Sequence, residues 1–372
     1  MYSRSLVREP LDSQRWPLSQ SGQSLYWAGL NKSKRSICID LRQPEGRELA
    51  QEIITAPGAD AGILLSNFPA RGWLAYDALA QRRDDLIMVN IVGNPDGSTA
   101  LDYTVNCAVG LPQITGSGHD DAPVNHVLPA WDISTGLTAA VAILAAERHR
   151  RLTGDGQYVR LSLADVALAM VGHLGFIAEA DHGRSQRRAH GNHLFGAFGR
   201  DFPTLDGRRI MIVAISPRQW RNLCDATGLA EKMALLEQAF EANFEHEGDR
   251  FEARDAIASL IETWCETRSL VQIGELFDAA GVCWGPYQSF RQLLDEDARC
   301  SAENPLFELI EHPGVGQYLM PGSTADFSAA PRVSMKAATQ MGQHTDEVLS
   351  EILRLSDAEI GRLHDSQIVA AA

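Results

Sequence analysis

Short apolar runs alternate with amphipathic segments through the first quarter of the chain. The runs at 36–40, 62–66 and 86–92 predict strands, and the segments at 44–54 and 76–83 predict helices. The segment 44–54 begins with a proline, which suits the first position of a helix. Wholly apolar strands are typical of parallel sheets covered on both faces. The pattern therefore predicts an α/β fold with an open sheet of Rossmann type.

The middle of the chain begins with a loop rich in Gly, Pro and Asp at about 110–132. A long apolar helix is predicted at about 134–151, followed by a strand at 158–163 and a buried helix at 163–180. The stretch 181–193 is polar and basic, which is typical of a linker or a mobile loop. We expect a second unit to start at the end of this stretch.

The second unit is predicted to mix strands and helices. Its elements are a strand at 208–215, helices at about 217–228, 249–268 and 269–280, and short strands with Pro-Gly turns within 305–323. Two helices are predicted in the tail. The second of them opens with the capping box Ser356-x-x-Glu359, in which each residue satisfies a backbone N–H of the other.

The composition is that of an ordinary globular protein. Of the 372 residues, 45% are apolar and 22% are charged, so wholesale disorder is excluded, and the length suits two domains or one large one. The net charge of −15 argues against a general nucleic-acid binder or a protein of anionic membrane surfaces. An anionic ligand would need a local basic cluster.

Cysteine usage and the N-terminus bear on the compartment. No two of the six cysteines have C-x-x-C or zinc-finger spacing, so we expect buried thiols of a reducing compartment. Residues 1–17 lack the apolar core of a signal peptide. The apolar stretch 163–180 carries Asp165, His173 and Glu179, which favours a buried helix over a membrane span. The expectation is a cytoplasmic protein with no nucleic-acid or membrane partner.

Familiar metal and nucleotide motifs do not occur. The sequence has no H-E-x-x-H, no G-x-x-x-x-G-K-[ST] and no G-x-S-x-G. The glycines at 191, 196 and 199 follow no predicted strand, so they are a weak dinucleotide fingerprint. We therefore expect neither a metal site nor NAD chemistry.

Asp132 is the most informative acidic residue. It is predicted to lie just before a buried apolar helix, where backbone N–H groups and the positive end of the helix dipole keep a carboxylate ionised. An ionised carboxylate in a partly dry site can attack an activated carbonyl. The other interpretation is a helix cap, and composition alone favours the cap.

Basic residues flank the ends of the predicted strands. They are Lys32, Lys34, Arg35, Arg42 and Arg71. Ligands of open α/β sheets bind at the carboxyl ends of strands, so these residues could hold phosphates; a solvated basic surface is an equally good interpretation. The glycines of 191–199 let a backbone approach a ligand or let a loop open and close, although an ordinary domain linker is slightly favoured.

The order and spacing of several short motifs resemble one known family of enzymes. The matching motifs are Asn31-Lys32-x-Lys34-Arg35-Ser36-Ile37, Pro44-Glu45-Gly46-Arg47, Asn67-Phe68, Asp132 followed by Gly136, Thr153-Gly154-x-Gly156-Gln157, and Gly342-x-His344-Thr345-Asp346-Glu347. Each motif is modest alone, but together they span almost the whole chain. The sequence resembles the family III CoA-transferases, the group of formyl-CoA and carnitine CoA-transferases and of 2-methylacyl-CoA racemase.

The resemblance implies that Asp132 is the nucleophile that attacks the thioester carbonyl of an acyl-CoA. It implies CoA contacts at Ile39, Asp40, Leu41, Arg42, Asn67, Phe68, Arg71, Thr99, Ala100, Leu101 and Asp102. CoA is then part of the substrate, and no cofactor is expected to be bound permanently. A substrate loop is implied at Gly191, Asn192, Gly196, Gly199 and Arg200.

The resemblance also limits which reactions of the family are expected of this chain. Racemases of the family carry a His-Asp pair where this chain has Leu101-Asp102, so the base for proton abstraction is missing and a racemase is not expected. Arg200 or His126 is the expected partner of a free carboxylate on the substrate.

Four longer runs, at 67–74, 125–132, 196–202 and 318–323, resemble members that move CoA between the two carboxylates of one acyl group. The implied substrate is the acyl-CoA thioester of a methyl-branched unsaturated dicarboxylate. An intermolecular transferase with a separate dicarboxylate acceptor and a CoA-binding pseudoenzyme stay open. A dehydrogenase is the least expected.

The resemblance finally implies an architecture. A large Rossmann-like domain is expected from 1–185 together with the returning tail at 325–372, with a smaller α+β domain at 191–300 and an interlocked homodimer. Family members begin with a strand, a glycine turn, a helix and a second strand ahead of the region matching Arg15-Trp16-Pro17, where this chain has only 1–14. The first strand of the sheet is therefore expected to be missing.

Overall fold

The computed structural model describes residues 2–5, 14–118, 122–183 and 187–371, and these residues have a mixed α/β fold. In chain order the strands are β1 (Tyr2–Ser5), β2 (Arg35–Ile39), β3 (Ile63–Ser66), β4 (Ile87–Val92), β5 (Gln157–Ser162), β6 (Phe198–Pro203), β7 (Arg209–Ala214), β8 (Cys283–Pro286), β9 (Phe307–His312), β10 (Gly316–Pro321) and β11 (Val369–Ala370).

The helices follow the same order. They are α1 (Leu25–Leu30), α2 (Pro44–Ile54), α3 (Tyr76–Ala80), α4 (Asp102–Ala108), α5 (Ala130–Thr153), α6 (Leu163–His173), α7 (Phe176–His182), α8 (Pro217–Thr227), α9 (Ala230–Phe240), α10 (Glu247–Glu252), α11 (Arg254–Cys265), α12 (Leu270–Ala280), α13 (Phe290–Glu296), α14 (Thr345–Leu353) and α15 (Asp357–Asp365).

The chain divides into two compact units. Unit 1 comprises Met1–Thr99, Asp132–Asp165 and Leu293–Ala372, and unit 2 comprises Ala100–Trp131 and Val166–Gln292. These units do not begin and end where the sequence places domains, at 1–185, 191–300 and 325–372. That division by domains stays a prediction.

Unit 1 contains the strands that the apolar runs predict. β3, β4 and β5 form a parallel sheet, and Leu86 and the first three residues of β4, 87–89, are completely buried. β2 pairs in parallel with β1, where no strand is predicted from the sequence, and antiparallel with β11. In the described part of the chain, β2 therefore lies in a different sheet from β3, and the single Rossmann-type sheet stays a prediction.

Helix α2 shows how a short motif fixes the backbone after β2. Proline occupies the first helical position, as predicted. Gly46 faces the carbonyl oxygen of Asp40 so closely that a Cβ at this position would overlap it. Arg47 donates from Nε to the carbonyl of Leu41 (2.8 Å) and from Nη2 to that of Arg42 (3.1 Å). The motif 44–47 thus holds the turn 40–42.

Unit 2 is built on the antiparallel sheet β6-β7-β8. Its hydrophobic core includes residues from one face of this sheet and from helices α8, α11 and α12. In this core the rings of Trp264 and Phe277 stack with their centroids 5.4 Å apart. Arg250 is completely buried in this unit. It donates to the carbonyls of Phe244 and Ile215, because a buried guanidinium must find acceptors.

Several predicted boundaries were wrong. α5 begins four residues earlier than predicted, and the helix predicted at 163–180 is two helices, α6 and α7, bent by 63°. The break falls at Gly175, whose φ of 82° lies in the left-handed region that glycine adopts without strain. Strand β6 and helix α9 were not predicted. The single helix predicted at 249–268 is likewise two helices, α10 and α11.

The apolar helices are less buried in the single chain than predicted. On α5, Ile133, Leu137, Val141 and Leu144 are all exposed, and α6 and α7 expose Leu168 and Ile177. Among the described residues no single helix is long and apolar enough to span a membrane, although α6 and α7 taken together pass on length and composition. Three of the six cysteines, at 38, 224 and 265, are buried; those at 107 and 283 are exposed, contrary to expectation.

We expect Gly46→Ala to lower the free energy of unfolding by about 1–3 kcal/mol, because the added Cβ must push α2 away from Asp40. Chemical denaturation followed by circular dichroism measures this. Gly29→Ala in α1 is the matched control, since nothing lies within 4 Å of its added Cβ. Equal effects of the two substitutions would contradict the close approach.

Candidate active site

Asp132 is the third residue of helix α5. The sequence predicts it just outside the helix, but α5 begins at Ala130 and takes Asp132 into its first turn. The side chain is exposed, and it lies next to the N–H groups that have no partner within the helix. The positive end of the dipole favours its ionised form. Asp132 is therefore an accessible carboxylate at a site that keeps it charged.

The start of α5 is held by a buried carboxylate, that of Asp102. Its Oδ2 accepts a hydrogen bond from the backbone N–H of Trp131 at 2.7 Å, and the residue is only 3% exposed. The indole Nε1 of Trp131 donates to Asn106 Oδ1 at 3.2 Å, and Asn106 Nδ2 donates to Asn125 Oδ1 at 2.6 Å. These bonds fix the residue that precedes Asp132 through both its backbone and its side chain.

This network brings the side chains of Asp102 and His126 next to each other. His126 Nε2 lies 3.5 Å from Asp102 Oδ1, and its ring packs edge-on against Tyr103. His126 thus faces a carboxylate of the protein, and its expected contact with a carboxylate of the substrate stays a prediction. Asp102 is buried and accepts from the N–H of Trp131, and its expected contact with CoA stays a prediction.

The rest of the expected 99–102 contact region is a turn ahead of α4. Thr99 and Leu101 are exposed and Ala100 is half-buried. The Thr99 carbonyl accepts from the side chain of Asn94 at 3.4 Å, and the Leu101 N–H donates to Thr104 Oγ1 at 3.1 Å. The 66% exposure of Leu101 leaves an apolar side chain available at this turn.

The turn 39–42 follows the carboxyl end of β2. Ile39 and Asp40 are buried, whereas Leu41 is half-buried and packs against the core of unit 1. Arg42 donates from Nε and Nη2 to the two oxygens of Asp40, at 2.7 and 2.6 Å. These hydrogen bonds hold the pKa of the Asp40 carboxyl far below its usual range, so the pair stays charged. Asp40 therefore offsets much of the positive charge of Arg42.

A second turn follows the carboxyl end of β3. Asn90 is 2% exposed, and its Nδ2 donates to the carbonyls of Ser66 (3.0 Å) and Phe68 (2.8 Å). Asn67 and Phe68 are exposed on this clamped turn, and Arg71 is exposed just before the helical turn at Gly72–Leu74. Asn90 lies inside a predicted strand, where an amide is unusual, and that was the signal that could have identified it.

The basic cluster does not act as one group. Arg35 pairs with Glu347 (3.2 Å) and Glu351 (2.8 Å) of α14. Burial, and then the charge of nearby Lys32, lowers the pKa of Lys34. A lysine whose charge is opposed in this way gains from an anionic partner. Within unit 1, Lys32 and Lys34 are therefore better candidates for a phosphate than Arg35.

The glycine segment is partly a strand and partly an anchored loop. Gly191, Asn192 and Gly196 lie in turns, but Gly199 and Arg200 lie in β6. Ahead of them, the guanidinium of Arg187 stacks on Phe195 at 3.7 Å and pairs with Glu179 at 2.6 Å. The described part of the predicted linker 181–193 is thus packed onto unit 2; residues 184–186 lie outside the described residues.

Two glycine loops of unit 2 cross at close range and line a cavity of about 970 Å³. A Cβ on Gly118 would lie 2.6 Å from the carbonyl oxygen of Ala189, and one on Gly191 would lie 3.2 Å from that of Ser117. Larger residues would force the loops apart. β6 and the start of α11 complete the lining, so the structure brings Gly191, Asn192 and Arg200 together around one space.

CoA-transferase family III is the family whose model matches this chain, over residues 8–345. An accessible carboxylate in the first turn of a long helix, and turns held at the carboxyl ends of strands, suit the transfer of an acyl group to and from a carboxylate. The chain belongs to CoA-transferase family III. The family inferred from the sequence motifs is thereby confirmed.

Individual relatives are consistent with this assignment. The 2-methylfumaryl-CoA isomerase of Chloroflexus aurantiacus is 53% identical over 97% of this chain and 88% of its own length. A formyl-CoA:oxalate CoA-transferase of Rhodopseudomonas palustris is 27% identical over 93% of this chain and 85% of its own. The crystal structure of a CaiB/BaiF family protein from Brucella suis covers 94% of this chain and 91% of its own with a TM-score of 0.72 at 22% identity, a likeness of fold.

We expect Asp102→Ala to lower the free energy of unfolding by about 1–3 kcal/mol, because the buried N–H of Trp131 loses its acceptor. Denaturant titration measures the loss. Asp102→Asn is the control: it keeps an oxygen at the same place and is expected to recover most of the stability. An alanine variant as stable as the parent would contradict the role of Asp102 at the helix start.

Proposed function

We propose that this enzyme is an intramolecular CoA-transferase that converts 2-methylfumaryl-CoA to 3-methylfumaryl-CoA. The observation that carries the proposal is the 53% identity, over 97% of the chain, to a 2-methylfumaryl-CoA isomerase. CoA moves between the two carboxyl carbons of one mesaconate, and no outside acceptor enters. CoA enters the site only as part of the thioester substrate, and the proposal includes no permanently bound cofactor.

The first half of the proposed reaction charges the enzyme. The Asp132 carboxylate attacks the thioester carbonyl, the C–S bond breaks, and a mixed anhydride and the CoA thiolate form. The thiolate then attacks the aspartyl carbonyl of the anhydride. This gives an aspartyl-CoA thioester and releases mesaconate as a free dicarboxylate.

The second half runs these steps in reverse on the other carboxylate. That carboxylate attacks the carbonyl carbon of the aspartyl thioester and expels the CoA thiolate. The product of this step is a new mixed anhydride. The thiolate attacks the acyl carbonyl, and Asp132 leaves as a carboxylate. Protons and electrons balance with no further reagent, because each step exchanges a thiolate and a carboxylate on one acyl carbon.

The position of Asp132 suits both of its roles. Next to the N–H groups of the first turn of α5, it stays ionised as a nucleophile, and the same donors favour it as a leaving carboxylate. The anhydrides and the free mesaconate must be kept from water and from escape. We assign the glycine loop at 191–199 to this retention: a Cβ would lie 3.2 Å from the carbonyl oxygen of Ser117 at Gly191, but would meet nothing within 4 Å at Gly196.

We propose that CoA lies along the turns that follow β2 and β3. Exposed Asn67, Phe68 and Arg71 offer an amide, an aromatic face and a cation, and the 39–42 turn offers the partly neutralised Arg42. Lys32 and Lys34 add the local positive charge that phosphates need on an acidic chain. Asp102 contributes by holding α5 rather than by direct contact.

An interlocked homodimer, a Rossmann-like CoA-binding domain built from both chain ends, and a cytoplasmic location belong to the same proposal. The exposed apolar residues of α5, Ile133, Leu137, Val141 and Leu144, recur every three or four positions and so lie along one side of the helix. An apolar stripe on a soluble enzyme indicates a protein partner, and a second copy supplies one.

The intermolecular transferase is the second candidate, and the formyl-CoA:oxalate CoA-transferase relative favours it. It uses the same aspartyl intermediates, but its acceptor arrives as a free acid. In the intramolecular reaction, added ¹³C-labelled mesaconate stays out of the product. Incorporation of the label in proportion to its concentration would instead support the intermolecular reaction.

We expect Asp132→Ala to slow the conversion of 2-methylfumaryl-CoA to the 3-methyl isomer by roughly a thousandfold or more, because the nucleophile is removed. Chromatography of the two thioesters after incubation without added acid measures this. The wild type should also give a CoA adduct, lost on treatment with hydroxylamine and absent from the variant by intact mass.

Glu45→Gln is the matched control for this experiment. Glu45 is also an acid in the first turn of a helix, α2, but it pairs with Arg362 on the surface. The Glu45→Gln variant should isomerise 2-methylfumaryl-CoA at the wild-type rate. Isomerisation by the Asp132 variant at the wild-type rate would exclude Asp132 as the nucleophile. A wild type that binds CoA thioesters without converting them would instead favour a CoA-binding pseudoenzyme.

A further inference from the structure

Asn90 is a polar residue in a deeply buried strand of unit 1. It lies in β4, which begins with three completely buried apolar residues, and only 2% of it is exposed. Burying an amide costs free energy unless its hydrogen-bonding groups find partners. A leucine of similar size would fill the same place at no such cost. Packing alone therefore does not account for an asparagine at this position.

The place of Asn90 in the sheet shows what its amide does. Ser66 is the last residue of β3, and it pairs with Asn90 of β4. β4 continues beside β5 to Val92, whereas the chain after Ser66 leaves the sheet. The two hydrogens of the Asn90 amide bond to the carbonyls of Ser66 (3.0 Å) and Phe68 (2.8 Å). The side chain thus supplies donors to the backbone at and just beyond the end of β3.

The amide of Asn90 is held in this orientation from its other side. Its Oδ1 accepts a hydrogen bond from the hydroxyl of Tyr158 at 3.4 Å, and the ring of Tyr158 stacks on that of Tyr76 with the centroids 5.6 Å apart. A rotated amide would place its oxygen against two carbonyl oxygens, which cannot donate. Asn90 therefore has one favourable orientation, and all of these residues lie in unit 1.

The backbone that Asn90 holds carries exposed side chains. Asn67 is exposed, Phe68 is 47% exposed, and the N–H of Phe68 donates to the hydroxyl of the last residue of β3 at 3.0 Å. Pro69 restricts the residue before it to an extended backbone. The N–H of Arg71 then donates to the carbonyl of Pro69 at 2.8 Å. One short segment, fixed at its start by Asn90, therefore presents an amide, an aromatic ring and a cation.

We propose that Asn90 is a positioning residue of the CoA site, which holds the segment 66–68 in the conformation that binds the CoA part of the thioester. The inference rests on the proposed function, which places CoA on this turn. A segment that is already ordered loses less conformational freedom on binding than one that the ligand must order. Asn90 acts through the backbone and touches no substrate. It therefore contributes to the affinity for CoA and not to the rate of the chemical steps.

The test replaces Asn90 by leucine, which keeps the volume and the apolar character of β4 but removes both donors. Calorimetry with free CoA measures the affinity without any turnover. Asn90→Leu should weaken CoA binding by about 5- to 20-fold, as expected when roughly two residues must be ordered by the ligand. The KM for 2-methylfumaryl-CoA should rise by a similar factor, and kcat should stay within about twofold of the wild type.

Two further variants keep this test independent of folding. Asn90→Ala also lacks the donors but cannot overfill the core, so it should show the same split between KM and kcat even if the leucine variant does not fold. Asn222→Leu is the matched control. Asn222 lies in α8 of unit 2, and its Nδ2 donates to the carbonyl of Gly281 at 3.1 Å. This variant also loses a bond from an amide to the backbone, and its affinity for CoA should equal that of the wild type.

A double-mutant cycle shows whether Asn90 acts through the turn. Phe68→Ala removes a side chain that the turn presents, and it should itself weaken CoA binding. In that background Asn90→Leu should cost less than about threefold in affinity, because less remains to be positioned. Full additivity of the two losses, an unchanged affinity of both Asn90 variants, or a fall in kcat with KM unchanged would each overturn the proposed role.

These outcomes separate the role of Asn90 from the proposed reaction. If the wild type binds CoA with a dependence on Asn90 but does not isomerise 2-methylfumaryl-CoA, the positioning role stands and the reaction falls. If the wild type isomerises and the Asn90 variants keep the wild-type Kd and KM, the reaction stands and the positioning role falls. A wild type that binds no CoA overturns the positioning role. Thermal unfolding of each variant separates loss of binding from loss of the fold.

Discussion

The start of helix α5 is the constraint on which the candidate chemistry depends. A helix leaves its first N–H groups without internal partners, and one of them, on Trp131, is satisfied by the buried carboxylate of Asp102. The indole of the same tryptophan is held by Asn106. Asp132 follows directly, so its backbone is fixed by bonds in which its own side chain takes no part. The candidate nucleophile thus directly follows a residue that a second, buried carboxylate holds in place.

Close backbone approaches set the other loops. Gly46 lets α2 reach the turn after β2, and Gly118 and Gly191 let two loops of unit 2 cross. At each of these positions a side chain would overlap a carbonyl or press against one. These glycines are therefore required because a side chain has no room, and the loops that they shape carry residues that we propose as contacts of CoA and of the acyl group.

Charge is distributed by local pairing. The chain has a net charge of −15, and Arg35, Arg42 and Arg209 are each bound by carboxylates of the protein. Among the described cations, Lys34, which lies beside Lys32, and Arg200, which is 3.8 Å from Glu262, have weaker compensation than these three. An acidic protein can bind anionic substrates only at such places. The number of basic residues near strand ends therefore predicts an anion-binding site less well than the absence of a carboxylate close to one of them.

The sequence by itself determined the family, the apolar strands β2 to β5, and Asp132 as the candidate nucleophile, because motif order and apolar periodicity are local properties of the chain. It missed β6, α9 and the break at Gly175, where tertiary packing overrides a continuous pattern. Only the tertiary structure decided that Asp102 is buried under α5, that His126 faces it, and that Arg200 lines a cavity with His193. These relations depend on how separate loops and helices pack against one another, which no local pattern in the sequence specifies.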